Sequence, residues 1–269
     1  MATTPTLVCV HAHPDDEALF TAGITSHYAD LGYRVVLITC TGGQLGIDDH
    51  GRFGPDPLHD DEVTRVTRAG ELQRAARVAG FSRVVTLGYD ESGMTGWAQN
   101  DSPEAFMNAN VAEVARSVAA LLDEEHATVV VTYDENGFYG HPDHIMANVV
   151  TRAALHTASS PRRLYYPVVP RGVLEEFVTG AKASGVSLPG FIVDALAVSD
   201  DMVSTRMDVR AFAKRKHEAI ATHASQVDNA DLVTMDEELF TLLFGIEYYQ
   251  RAWSRDVTTG DETDLFGGL

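Results

Sequence analysis

The chain has 269 residues, 45% of them hydrophobic, which suffices for one sizeable core and argues against global disorder. Against 20 lysines and arginines stand 39 aspartates and glutamates, a formal charge of −19, so neither nucleic acid nor an anionic membrane is expected as a partner. The two cysteines, Cys9 and Cys40, lie inside apolar runs and make no disulfide framework; with no basic, apolar leader and no apolar stretch of bilayer length, a cytoplasmic location is expected.

In chain order, short apolar runs alternate with amphipathic stretches. A strand is expected over 6–11, closing in His11-Ala12-His13-Pro14-Asp15-Asp16-Glu17, with a helix over 16–31 behind it. A second strand, 34–40, runs into Thr41-Gly42-Gly43-Gln44-Leu45-Gly46. Those glycines hint at a phosphate cradle, but they follow the second strand and lack the dinucleotide spacing, so nucleotide binding is not expected. The Gly-, Asp- and Pro-rich stretch from Gly42 to Asp61 reads either as a lid or as an ordinary surface loop. A helix over 62–80 and a strand over 83–87 follow, then a helix over 104–125 with Val111, Val114, Val118, Leu121 and Leu122 at helical spacing. A fourth strand, 128–133, leads to Tyr139-Gly140-His141-Pro142-Asp143-His144 and a helix over 142–158; a fifth strand covers 163–166. Past residue 167 the alternation decays into a helix over 171–183, a loop over 184–190, a helix over 208–224, and short strands, turns and a polar tail.

Strands alternating with helices predict an α/β fold: a Rossmann-like, doubly wound, mainly parallel sheet of order 3-2-1-4-5. One domain is expected over 1–269, with 1–166 as the core and 167–269 as a mixed α/β extension that shapes the pocket. In that order strands 1 and 4 are neighbours and the winding reverses between them, which is where such sheets bind ligands. The His13 cluster ends the first of these strands and the His141 cluster ends the second. The two clusters should therefore converge.

A hydrolytic metal site takes three protein donors and keeps one position open. His13 and Asp16, three apart across a strand-to-helix turn, can face one centre, and His144 can supply the third donor. Asp15 then stands beside the centre as general base. His141, one helical turn before His144, would as an imidazolium stabilise an oxyanion or protonate a leaving amine. Asp143 is placed to orient one of these histidines, and Tyr139 to add a hydroxyl donor. Arg68, on the 62–80 helix, either holds a substrate hydroxyl or is a solvated charge. His11 is expected as a cap or solvated loop residue. Glu17 is expected as a helix-start charge favoured by the dipole, or else as a group that orders the ligands. His217 and His223, six apart, share no helix face and are not expected as ligands. Two competing readings are a non-haem Fe(II) oxygenase, which the proton-transfer groups Asp15 and His141 disfavour, and a non-catalytic sugar-binding protein. The latter would call for a fourth ligand to close a structural metal.

At Ala12-His13-Pro14-Asp15-Asp16-Glu17 and His141-Pro142-Asp143-His144 the sequence resembles the superfamily of LmbE-like proteins and GlcNAc-phosphatidylinositol de-N-acetylases. Thr132-Tyr133-Asp134-Glu135-Asn136-Gly137, His223-Ala224-Ser225-Gln226 and Glu262-Thr263-Asp264-Leu265 resemble its mycothiol-pathway branch of N-acetylglucosaminyl-inositol deacetylases and mycothiol S-conjugate amidases. The resemblance runs over nearly the whole chain. It implies a Rossmann-like fold, Zn2+ (with Fe2+ as the alternative) on His13, Asp16 and His144, and Asp15 as base. It further implies His141 and Tyr139 at the tetrahedral intermediate and Arg68 at a sugar–inositol substrate. Gln44 stands where the branch carries glutamates and Glu91 where it carries an aspartate, both where substrate groups would bind. The expected activity is metal-dependent hydrolysis of an N-acyl, chiefly N-acetyl, group on a small amino-sugar substrate. The oligomeric state stays open, a homo-oligomer included.

Overall fold

Runs such as Leu7-Val8-Cys9-Val10 and Val129-Val130-Val131 are apolar at every position because both faces of the sheet they form are covered. The computed structural model describes residues 4–183, 192–256 and 262–269. Strands β1 (Thr6–His11), β2 (Arg34–Thr41), β3 (Arg83–Tyr89), β4 (Val129–Val131) and β5 (Arg163–Pro170) pair in parallel in the predicted order 3-2-1-4-5. Beyond β5 come a two-residue strand β6 (Ala197–Val198), then β7 (Thr205–Asp208) and β8 (Ile246–Ser254). The last two extend the same sheet, β8 antiparallel to β5 and β7 antiparallel to β8, giving 3-2-1-4-5-8-7.

The helices in chain order are α1 (Ala22–Asp30), α2 (Asp61–Val78), α3 (Val111–Glu124), α4 (Gly137–Gly140), α5 (Pro142–Leu155), α6 (Arg171–Ala183), α7 (Ile192–Leu196), α8 (Ala213–Thr222), α9 (Ala230–Val233) and α10 (Glu237–Phe244). Leu7 and Cys9 of β1 face a core built with α1, α2 and α8, while Val8 and Val10 face one built with α3 and α5. None of the helices among the described residues is long and apolar enough to cross a membrane.

Four elements differ from the sequence-based expectation. The 16–31 helix is interrupted: a π-helical turn, Glu17–Thr21, precedes α1 and turns Glu17 inward, where it is fully buried. The 104–125 helix begins only at Val111, because the Asn110 side chain accepts the backbone N–H groups of Ala112 and Glu113 and caps it there. A short 3-10 turn, Phe106–Asn108, stands ahead of it. The 208–224 helix shrinks to α8, its front part going to the end of β7 and a 3-10 turn at Arg210–Phe212. The "short strands" of the C-terminal part include the nine-residue β8. Its inward residues are Glu247 and Tyr249, so polarity does not alternate as a strand pattern would demand. The loop expected over 184–190 lies outside the described residues.

Candidate metal centre

The carboxyl ends of β1 and β4 bring the two clusters together. His13 Nδ1 lies 3.2 Å from His144 Nε2. One Asp16 oxygen is 3.4 Å from His13 Nδ1, and its other oxygen is 3.4 Å from His144 Nε2. Two ligands held about 2.0–2.1 Å from a single ion at a tetrahedral angle lie roughly 3.3 Å apart, so these three side chains fit a first-row divalent cation. His141 was not expected among the ligands, yet its ring offers a nitrogen within 4.8 Å of donors on His13 and His144.

The surroundings orient each donor. His13 Nε2 donates to Asp143 Oδ2 at 3.1 Å, which turns the Nδ1 lone pair inward. Asp143 is itself held by the backbone N–H of Ser92 at 2.9 Å and by the Ser92 hydroxyl. The histidine Asp143 orients is thus the one contributed by the other cluster. The Tyr133 ring stacks on that of His144 with centroids 4.0 Å apart. Burial would lower the His13 pKa, but Asp143 and Asp16 hold it well above its ordinary value. Asp16 is held well below its own, His144 and His13 outweighing burial. The carboxylates of Asp16, Asp143 and Glu91 around these rings favour positive charge at the centre.

Asp15 is strained. Its φ is 115°, a left-handed value that costs a non-glycine residue on the order of 1–3 kcal/mol. Its backbone N–H donates to Glu17 Oε2 at 3.0 Å, and its carboxylate meets Arg68 Nη2 at 3.2 Å. Burial raises its pKa to about 7, Arg68 opposing and Asp16 adding to the rise. His141 differs from expectation: burial, then His13 and His144, push its pKa down to about 2, so it is a neutral imidazole. Its Nδ1 accepts the Asp143 backbone N–H at 3.1 Å as the cap of α5, which leaves the proton on Nε2. Tyr139, on α4, is 43% exposed at the mouth, its ring centroid 5.0 Å from that of His144.

Arg68 is only 4% exposed, which removes the solvated reading. Its guanidinium donates to the carbonyls of Gly43 and Pro14. A Cβ at Gly43 would stand 2.6 Å from Arg68 Nη1, and one at Gly46 2.4 Å from it. The glycine-rich run cradles an arginine. Gln44 and Glu91, expected at substrate, bind across two loops: the Glu91 N–H donates to Gln44 Oε1 at 3.1 Å and the Leu45 N–H to Glu91 Oε2 at 2.9 Å. Glu91 Oε1 still lies 4.0 Å from His13 Nε2.

Sequence reasoning underrated several supports. His11 is fully buried between the Tyr133 hydroxyl at 3.2 Å and Thr21 Oγ1 at 3.0 Å, not solvated. Glu17 is no exposed helix-start charge; it accepts from His223 Nε2 at 2.7 Å. Next to His223, the Ser225 N–H and hydroxyl donate to Glu71 on α2, and Gln226 exchanges hydrogen bonds with the backbone of Ile47. The segment after β2 is therefore pinned, with Leu45 and Ile47 buried. Only the quoted His223-Ala224-Ser225-Gln226 motif pointed this way. Its spacing reveals nothing about a partner two hundred residues earlier.

Comparison with known proteins identifies the family. Residues 8–155 match the family model described as PIG-L, GlcNAc-PI de-N-acetylase. The 1D-myo-inositol 2-acetamido-2-deoxy-alpha-D-glucopyranoside deacetylase of Geodermatophilus obscurus is 35% identical over 295 residues, covering 100% of this chain and 99% of that one. The enzyme of the same name from Acidothermus cellulolyticus is 36% identical over 281 residues, covering 98% and 94%. Among solved structures, a deacetylase of teicoplanin biosynthesis superposes with a TM-score of 0.61 at 18% identity, over 94% of this chain and 100% of its own. That last likeness concerns the fold alone.

Proposed function

Since the chain belongs to the PIG-L family of GlcNAc-PI de-N-acetylases, we propose that it hydrolyses the N-acetyl group of a glucosaminyl-inositol-type amino sugar, with zinc as its metal. The observation that carries this reading is the convergence of His13, Asp16 and His144 at tetrahedral spacing, with Asp15 next to Asp16 in the chain. Two imidazoles and one carboxylate suit Zn2+, and Fe2+ accepts the same donors. A cation held by His13, Asp16 and His144 would polarise the acyl oxygen and acidify the attacking water.

The residues of the chain do the rest. Asp15, with a pKa close to neutrality, takes a proton as water adds to the acyl carbon. The Nε2–H of neutral His141 and the Tyr139 hydroxyl donate to the developing oxyanion, each donor contributing about 3 kcal/mol by analogy with oxyanion holes. Protonated Asp15 then returns its proton to the nitrogen as the C–N bond breaks, releasing acetate and a free amine. Arg68 steadies the Asp15 carboxylate at 3.2 Å and, being buried, orders the base before it orders any substrate.

The test is elemental analysis of the purified protein followed by an amine-release screen. The screen covers N-acetylglucosaminyl-inositol, chitooligosaccharides and mycothiol S-conjugates. Release of amine and acetate from the first, with about one zinc per chain, is the expected result. Metal-loaded protein that releases amine from none of them overturns the reading; release from the S-conjugates alone reassigns the substrate.

A further inference from the structure

The proposed chemistry makes no use of the buried imidazole of His223. His223 follows α8, far along the chain from both clusters, yet its Nε2 donates to Glu17 Oε1 at 2.7 Å with both side chains fully enclosed. The other oxygen of the same carboxylate accepts the backbone N–H of Asp15 at 3.0 Å. Asp15 is the residue held at φ 115°. The imidazole is fixed in turn, since its neighbours Ser225 and Gln226 bind Glu71 and Ile47.

We propose that His223 is a positioning residue for the deacetylation: through Glu17 it holds the Asp15 backbone in the conformation that aims the base at the reacting water. A left-handed aspartate relaxes unless the surrounding structure over-determines it. Contacts at three points do so here: Arg68 on the carboxylate, the N–H groups of Ala18 and Leu19 on the carbonyl, and Glu17 on the N–H. Without the imidazole, Glu17 Oε1 is a buried charge with no donor, and the carboxylate turns towards one. The Asp15 N–H is then left unpaired. The side chains of His223 and Glu17 make no hydrogen bond to His13, Asp16 or His144, so the loss belongs to the chemical step.

This inference rests on Asp15 being the base, and the experiment separates the two. His223→Leu keeps the volume and removes the donor; His223→Gln restores a donor at the reach of Nε2. The expected result for His223→Leu is a fall in kcat of about tenfold or more with KM within roughly twofold, while metal content stays at the wild-type level. His223→Gln is expected to keep kcat within about threefold of wild type. A crystal structure of His223→Leu should show Asp15 released from positive φ. Should His223→Leu fail to fold, Glu17→Gln, which keeps the shape and discharges the hub, is expected to lose kcat in the same way. Adding His223→Gln to it should then cost little more. Wild-type kcat in His223→Leu, or a rise in KM alone, overturns the positioning role if Asp15→Asn is inactive. Wild-type turnover in Asp15→Asn overturns the base assignment first.

Discussion

Asp15 carries a backbone strain, a part-buried carboxylate paired with Arg68 and a pKa near 7, next in the chain to the donor Asp16. Its removal should separate chemistry from binding. Asp15→Asn is expected to keep its metal and lose about 10²–10⁴-fold in kcat, whereas His144→Ala is expected to lose the metal as well. Elemental analysis and amine release on the same samples check both. The pH dependence follows from the sign of the shift. A base works only when deprotonated, so kcat/KM should fall as pH drops through the Asp15 pKa. Bound cation charge lowers that value, which puts the acid limb at or below about 7. A profile flat from about pH 7 to pH 4 would remove Asp15 from the role. At this scale the convergence of His13, Asp16 and His144 and the pairing of Asp143 with a histidine were legible, because a strand end and a helix start fix where side chains point. The charge state of His141 was not legible, since it depends on burial and on two neighbouring rings. Glu17 and His223 escaped for the same reason: their partnership exists only once α8 packs against the Glu17–Thr21 turn.

Among the elements, α1 shows how the C-terminal part of the chain supports the site. The first helix resumes after the π-turn at Gly23 and Ile24, whose N–H groups both donate to Glu247 on β8 at 3.0 Å. Lys216 of α8 binds the same carboxylate at 2.7 Å, and the Tyr249 hydroxyl at 2.8 Å. Deleting one member of a buried pair leaves the other uncompensated, so Glu247→Ala is expected to destabilise the protein by about 3–5 kcal/mol, read from urea unfolding. A change below about 1 kcal/mol would mean that water replaces the carboxylate. The parallel strands and most of the helices covering them were legible from apolar periodicity. The β8 strand was not, because its buried face carries Glu247 beside Tyr249 and its hydrophobic residues fall on both faces. The start of α3 was also missed, since the valine repeat outweighed the capping signal at Asn110.

Across the whole molecule, the last described segment closes the sheet from outside. Arg163, 1% exposed on β5, donates to the carbonyls of Leu265 and Gly267, and the Tyr28 hydroxyl donates to Asp264 at 2.7 Å. Removing residues 262–269 strips a buried guanidinium of both carbonyl acceptors and uncovers the core that Leu265 and Phe266 pack against. The truncated chain should lose several kcal/mol or fail to fold, roughly the effect of breaking a buried charge pair and opening a cavity together; thermal unfolding of the two forms decides it. At this scale the sheet order 3-2-1-4-5 was legible from alternation and the handedness of crossovers. Its continuation through 8 and 7 was not, because antiparallel additions carry no such rule.

The hydrogen bond between His223 and Glu17 joins residues separated by most of the chain's length. During synthesis, a ribosome delivers every proposed metal donor while the imidazole behind Asp15 is still untranslated. The proposed ligand set is thus complete in the nascent polypeptide before the group that positions the base exists.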